Sequence, residues 1–407
     1  MTAQPLRRIP VLSLDGAPAA AALAACVVSV VVRHALGAPA AAEIAFADPD
    51  RAQCDGLRIG AAVDLRLRAG GWLFDGEITA IEHEVDGRGG RIVRVRCYDR
   101  LHRLRKRQRL RALTDIGLAA LLAEAAADIG VMACPVPDAP TRPLLIQHDQ
   151  SDFALIAGVA GASGLYLRLQ DGMLDACSLA GSGAPAIPLA LGAGLLAARA
   201  TANAETLRRS TRARAWDPIT LASMDASVGL ARQDAVEFRD VGASAFPDLG
   251  ERLLVNRISA DRAEAEGLAQ ADMDWSVARQ LILDATAAGD PALLPGRAVA
   301  VRGVADTVDG DFILTVALHR FDGEGGYLVE LSTAPPPRPA PGPAPAVAIG
   351  RIVAVDDPER LGRARAMLPS FGEVETGWMP VLSLGAGSGI IQGVLHAAGD
   401  AVLDPRV

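Results

Sequence analysis

Positive charge is scarce in this sequence. The 40 Lys and Arg face 48 Asp and Glu, for a net charge of -8. A dedicated nucleic-acid-binding domain carries a basic excess, so that class is excluded as the main role. Aromatic residues make up only 4% of the chain, which leaves few rings for stacking bases. The five cysteines, Cys26, Cys54, Cys97, Cys134 and Cys177, are odd in number and include no C-x-x-C. That spacing argues against a disulfide scaffold or a structural zinc site and predicts free thiols in a reducing compartment. Nucleophile elbow, Walker loop and His-Glu-x-x-His are all missing. No apolar run reaches the ~20 residues of a membrane span, so no stable membrane anchor is expected. The nearest approach runs from Ala17 to Val32 behind Arg7 and Arg8, where Leu23-Ala24-Ala25-Cys26 resembles a lipoprotein cleavage site. Asp15 interrupts the approach to it, and Cys26 to Val32 is β-branched enough to read as a buried strand.

Half of the residues are hydrophobic and 22% are charged, so the chain folds, and 407 residues predict two or three domains. Alternation in Val63–Arg68 and Ile92–Tyr98 predicts half-buried strands. Asp15-Gly16, Asp55-Gly56, Asp75-Gly76 and Asp86-Gly87 read as turns between strands. Thr114 is expected to cap a helix that Gly130 stops, and Ser151-Asp152 to open a second one ending near Gly164. Leu165–Leu169 and Met173–Cys177 then form a hairpin about Asp171-Gly172, and residues 195–335 return to β structure. The stretch 334–347 is a Pro-rich linker that can form neither helix nor central strand.

Two distant segments match. One ends in His83-Glu84-Val85-Asp86-Gly87-Arg88-Gly89-Gly90, the other in His319-Arg320-Phe321-Asp322-Gly323-Glu324-Gly325-Gly326. In each an Asp-Gly pair, Asp75-Gly76 or Asp309-Gly310, lies upstream of the strand. The pattern predicts a duplicated β domain with a glycine-supported hairpin in each copy. A trimer of such a chain would present six similar faces, and could join a three-fold object to a six-fold one.

Catalytic templates find little to fit. His148, Asp149 and Ser151 are too close in sequence for a triad, and Ser151 reads as a helix cap. Gly385–Gly389 lacks nucleotide-loop spacing, and Asp171 and Asp356-Asp357 fall in turns. His83 and His319 could ligate a metal only if the two hairpins met, and turn or solvated roles suit them better. The run Arg100, Arg103, Arg105, Lys106, Arg107, Arg109 and Arg111 is expected to be a solvated face or a contact with an acidic partner.

Three blocks give the chain its resemblance to a family. The first joins Phe74-Asp75-Gly76-Glu77-Ile78 to Tyr98-Asp99-Arg100-Leu101-His102-Arg103-Leu104 and to Gln147-His148-Asp149-Gln150-Ser151-Asp152-Phe153. The second runs from Pro295-Gly296-Arg297 to Gly326-Tyr327, with Trp216-Asp217-Pro218 as a less specific match. The third is Gly350-Arg351-Ile352 through Asp357-Pro358, Gly362-Arg363 and Ala366, continued by Trp378, Gly393 and Gly399-Asp400. Together they resemble the hub and spike proteins of contractile injection systems, a group that includes the VgrG proteins of type VI secretion and the late control D proteins of contractile-tailed phages.

The resemblance implies a mainly β fold with α insertions: two related hub β-barrels, a Pro-rich linker and a small OB-fold. It implies a first barrel over 1–110, a helical insertion and hairpin over 111–194, a second barrel over 195–333, the linker over 334–347 and an OB-fold spike base over 348–407. His83, Asp86, Gly87, His319, Asp322, Gly323, Asp357, Pro358, Gly362, Arg363, Gly399 and Asp400 are expected as structural motif residues. The resemblance also implies a homotrimer that contacts inner-tube and baseplate proteins and a PAAR-like spike-tip protein. It would have no catalytic site, metal or cofactor, and would be made in the cytoplasm and built into a tail-like particle. The sequence stops just after Gly399-Asp400-Ala401-Val402-Leu403, so the needle is expected from another chain, or the sequence is truncated. A cell-wall-degrading enzyme carried by the same machine and a separate OB-type binding module are the alternatives.

Overall fold

A computed structural model describes residues 10–381, apart from 69, 88, 137–139, 218–221, 234–248, 256–260, 324–325, 339–348 and 370–372. The first stretch is nearly all strand: β1 (Val11–Leu14), β2 (Ala17–Pro18), the short helix α1 (Ala21–Ala25), β3 (Val27–Ala35), β4 (Ala41–Ala47), β5 (Ala62–Arg66), β6 (Trp72–Val85) and β7 (Arg91–Tyr98). Residues of alternate parity on β3 and β4, such as Val30, Val32, Ile44 and Phe46, enter one core with Val93, Val95 and Cys97 of β7. The apolar run after Cys26 is thus a strand with one face in the core, as its β-branched composition dictates.

Two of the Asp-Gly pairs behave differently from expectation. Asp75-Gly76 lies inside β6, paired with Asp64 and Val63 of β5. A β-carbon at Gly76 would overlap the Tyr98 carbonyl and the Phe74 ring, so glycine serves close strand approach here rather than a turn. Asp55-Gly56 ends a 3-10 helix, Gln53–Gly56. Asp15-Gly16 does turn the chain, with φ of 50° and 81°.

A helical insertion follows: β8 (Arg111–Ile116), α2 (Leu118–Ile129), β9 (Met132–Ala133), β10 (Arg142–Gln147), α3 (Asp152–Ala162), β11 (Leu165–Gln170) and β12 (Met173–Ser178). Thr114 sits in β8 opposite Leu144 and caps nothing; the residue before α2 is Gly117. Ordering β8 against β10 outweighs the local capping preference. Gly130 ends α2 in the left-handed region, at φ 70°. Leu118, Leu121, Leu122 and Ile129 of α2 pack with Ile156 and Val159 of α3 and with Leu165, Leu167 and Leu174 of the hairpin.

The third stretch contains β13 (Ile187–Leu191), β14 (Gly194–Ala202), β15 (Ser210–Asp217), β16 (Ala222–Val228), β17 (Glu251–Leu254), the helix α4 (Arg262–Ala278), β18 (Leu281–Ala288), β19 (Ala298–Arg302), β20 (Gly310–Ile313), β21 (Val316–Asp322) and β22 (Gly326–Ser332). Helix α4 was not legible as an interruption of the β region. It starts at Asp261, whose side chain accepts the Glu264 N–H, and lays Ala265 and Ala269 against Ala213 and Ala226 of the small sheet β16-β15-β17. After the linker, β23 (Arg351–Ala354), β24 (Arg365–Leu368) and β25 (Val374–Glu375) form a separate antiparallel sheet.

Pairing reveals a repeat. In the first stretch β1 pairs β5, β5 pairs β6, β6 pairs β7, β7 pairs β4 and β4 pairs β3. In the third, β13 pairs β19, β19 pairs β20, β21 pairs β22, β22 pairs β18 and β18 pairs β14. The long β6 corresponds to β20 and β21 together, which are separated only by Leu314 and Thr315. Two junctions differ: β1 and β5 are antiparallel but β13 and β19 parallel, and β13 also pairs in parallel with β14, a contact that β1 and β3 do not make. The two sets fuse where β3 pairs antiparallel with β21, from Ser29↔Asp322 to Ala35↔Val316, making one 14-stranded sheet.

Candidate functional site

The chemistry-bearing side chains gather at four structural joints. The seam between the repeats is the first. There His34 and His319 are both buried, with ring centroids 5.7 Å apart in an edge-on contact. His34 Nε2 donates to the Leu73 carbonyl at 2.9 Å, and His319 Nε2 to the Leu293 carbonyl at 3.1 Å. That tautomer leaves Nδ1 of His319 to accept the Tyr327 hydroxyl at 2.9 Å. Tyr327 also stacks on Phe321 at 4.1 Å, which explains the Gly-Tyr after the second hairpin. Burial holds both imidazoles neutral: it pushes His34 down to about 4, and burial followed by the His34 charge pushes His319 down to about 3.

The repeated motif therefore serves two ends. Asp86-Gly87 and Asp322-Gly323 both lie where their hairpins turn, with Gly89 and Gly326 at φ 85° and 73°. Asp86 accepts the Gly90 N–H at 2.9 Å. But His83, opposite Val93 near the end of β6, is exposed, whereas His319, opposite Val329, is fully buried. The structure does not bring the two histidines together, and among the described residues no cluster of His, Cys, Asp or Glu could hold a metal ion.

The second joint holds the basic run: Arg107, Arg109 and Arg111 are half-buried against acidic partners, while Arg103, Arg105 and Lys106 are exposed. Asp152, with a fully buried side chain, accepts Arg107 Nε at 2.5 Å, Arg109 Nη2 at 3.0 Å and Gln147 Nε2 at 2.7 Å. Arg107 also pairs with Asp128, while Arg109 and Arg111 share Glu124 at 2.6 and 2.5 Å. Arg105 lies over the Phe153 ring at 4.9 Å, and Arg103 meets Glu77 of β6. The acidic partners of Arg103, Arg107, Arg109 and Arg111 are thus the chain's own Glu77, Glu124, Asp128 and Asp152. Ser151 caps α3, accepting the Ala154 N–H at 3.2 Å, so it is no nucleophile. Asp99 opens this joint: it accepts N–H bonds from Ala40 and Leu101, while burial pushes its carboxyl up to about 7.

At the third joint, missed by sequence reasoning, the linker meets α4. Trp275 Nε1 donates to the Pro336 carbonyl at 3.1 Å, and Arg338 lies over the indole at 4.2 Å while pairing with Asp272 at 2.5 Å. The first residues of the linker are therefore docked on the folded body. Only a lone tryptophan and aspartate on a polar helix could have signalled it.

The fourth joint is the turn between β23 and β24. The Asp357 carboxylate accepts N–H bonds from Glu359, Leu361 and Arg363 and a two-pronged contact from the Arg363 guanidinium at 3.0 and 2.8 Å. The Arg363 guanidinium holds the Asp357 carboxyl well below the usual carboxylate range. Pro358 follows Asp357 directly, and Arg360 and Gly362 take positive φ, at 56° and 68°. Gly399 and Asp400 lie outside the described residues. Replacing Asp357 by alanine should speed amide exchange in the 351–375 sheet by about tenfold or more, leaving the 14-stranded sheet unchanged. Hydrogen-exchange mass spectrometry checks this; unchanged protection would mean that the turn holds without its carboxylate.

A search of the curated proteins found no match. Among solved structures, the 43 kDa tail protein of prophage MuSo2 from Shewanella oneidensis is 14% identical, with a TM-score of 0.61 over 80% of this chain and 97% of its own. An E. coli component of the type VI secretion system, described as structurally similar to the T4 tail proteins gp27 and gp5, is 14% identical with a TM-score of 0.60 over 88% of each chain. A chain of the Francisella PdpA–VgrG complex is 7% identical with a TM-score of 0.53, covering 96% of this chain and 75% of that one. These likenesses establish a shared, β-rich tail-protein and VgrG-like fold. The family model described as the Alg8 N-terminal domain matches residues 68–322, more than half of the sequence, and the chain belongs to that family.

Proposed function

We propose that the chain is a structural hub and spike base of a contractile injection system or phage-tail-like baseplate, and not an enzyme. The observation that carries this reading is the strand-for-strand repeat fused at β3·β21. Three copies would supply six such units, matching a three-fold spike below to a six-fold inner tube above. The domain limits follow: hub barrels over 1–110 and 195–333, an insertion over 111–194, the linker over 334–347 and an OB-type base over 348–407. The motif residues His83, Asp86, Gly87, His319, Asp322 and Gly323 shape the hub hairpins, and Asp357, Pro358, Gly362 and Arg363 the base. The partners are two further copies of the chain, tube and baseplate proteins and a PAAR-like tip protein. Synthesis in the cytoplasm and assembly into the particle complete the proposal. Among the described residues no helix is long and apolar enough to cross a membrane. The neighbours' descriptions as tail proteins and a secretion component support the reading, and they favour neither a cell-wall hydrolase nor a separate binding module.

Sedimentation and negative-stain microscopy of the purified chain test it. The expected particle is a three-fold ring with a central stalk. A protein that stays monomeric at high concentration and binds no tube or baseplate protein would overturn the assignment.

A further inference from the structure

Asp272 on α4 is 5% exposed, yet it meets three guanidinium groups: Arg208 at 2.6 Å, Arg252 at 3.2 Å and Arg338 at 2.5 Å. Thr211 donates to the same carboxylate at 3.1 Å. A fourth guanidinium, of Arg279, lies 4.9 Å from the ring of Trp275, the same indole that Arg338 covers. Among the described residues Arg252 and Arg338 form ion pairs with Asp272 alone, and the buried Nε–H of Arg279 has no hydrogen-bond partner. The cationic excess is felt inside the cluster. Burial depresses the Arg208 guanidinium; the Asp272 charge opposes this, and the charges of Arg252 and Arg338 add to it. Both of those side chains remain partly open to solvent, at 47% and 35%.

A cluster in which one carboxylate serves three guanidinium groups beside an orphaned N–H is short of anion. We propose that this recess, at the point where the linker leaves the body, binds a carboxylate from an acidic segment of a partner protein. The planar forks of Arg252 and Arg338 are already disposed about one carboxylate, and a second suits the same geometry. Nucleic acid fits less well: the indole of Trp275, which could stack a base, already carries Arg338 and Arg279. Because Arg338 also anchors the linker, an occupied recess holds the linker more firmly against α4.

The test uses the full chain and a labelled hexaglutamate peptide, read by fluorescence anisotropy at low salt. Saturable binding is expected, weakened about tenfold or more by Arg252→Gln with Arg338→Gln, and also weakened by Arg279→Gln. Arg214→Gln, which removes a surface arginine paired with Asp225, should leave it unchanged. Thermal melts matching the parent confirm that each variant folds. Absence of binding, equal loss in the Arg214→Gln control, or stronger binding of inorganic phosphate or oligothymidylate than of the peptide overturns the proposal. The recess does not depend on the hub reading: a monomeric chain that still binds hexaglutamate refutes the hub and supports the recess.

Discussion

Replacing Asp152 by alanine should destabilise the helical insertion by about 3–5 kcal/mol, the cost of stranding buried charge when one partner of a pair is removed. Asp152 has no exposed side-chain surface, and it binds Arg107, Arg109 and Gln147 at once. Its loss leaves Arg107 and Arg109 with only Asp128 and Glu124 as acidic partners and takes a buried acceptor from Gln147. Glu124 provides the internal comparison. Its side chain is 37% exposed, so Glu124→Gln should cost no more than about 1 kcal/mol. Urea denaturation followed by far-UV circular dichroism, with hydrogen exchange reporting on α2 and α3, separates the two. Equal costs for the two variants would mean that the arginines find other partners when Asp152 is gone.

The second large effect is acid lability of the seam. In the unfolded chain His34 and His319 take up protons as the pH falls below about 6.5. In the folded chain burial delays this to about 4 for His34 and about 3 for His319. Between those limits the unfolded state binds more protons, so stability rises with pH and is lost as the pH falls. Each histidine contributes a slope of about 1.4 kcal/mol per pH unit, so the pair costs roughly 4–6 kcal/mol between pH 6.5 and 4.5. His34→Gln with His319→Gln keeps hydrogen-bonding groups on both strands and removes the titration. The double variant should therefore show a visibly flatter stability profile over that range. A profile parallel to that of the parent would assign the acid sensitivity to carboxylates instead.

Local signals in the sequence were read well where a single residue dictates a single geometry. Gly130, Ser151 and Asp171-Gly172 each do what their type favours. The repeated His-to-Gly hairpin pointed to the duplication, and the pairing order of the strands repeats with it. Function of the same residue type diverged where tertiary contact decides. His83 and His319 share a motif, but where His83 pairs with β7 alone, His319 lies between β22 and β3 and is followed by a tyrosine after the turn. The arginine run suggested a solvated face or an acidic partner without naming one, because its partners lie elsewhere in the chain, at Glu77, Glu124, Asp128 and Asp152. Helix α4 hid in a β region because its buried residues are Ala265, Ala269, Asp272, Met273, Asp274 and Ser276, small or polar side chains but for one, which carry little apolar periodicity. The Asp272 recess needs residues from 208 to 338, a span that no local pattern covers.

The β3·β21 ladder has a mechanical consequence. Its hydrogen bonds run perpendicular to the strands, from Ser29↔Asp322 to Ala35↔Val316. A force that drags one half of the chain past the other along the strand direction loads every rung together, as in a lap joint, and none can fail alone. A force that peels the halves apart sideways would break the rungs one by one. The joint is strong along one axis and weak across it, so the direction of thrust, more than its size, decides whether the two halves stay one body.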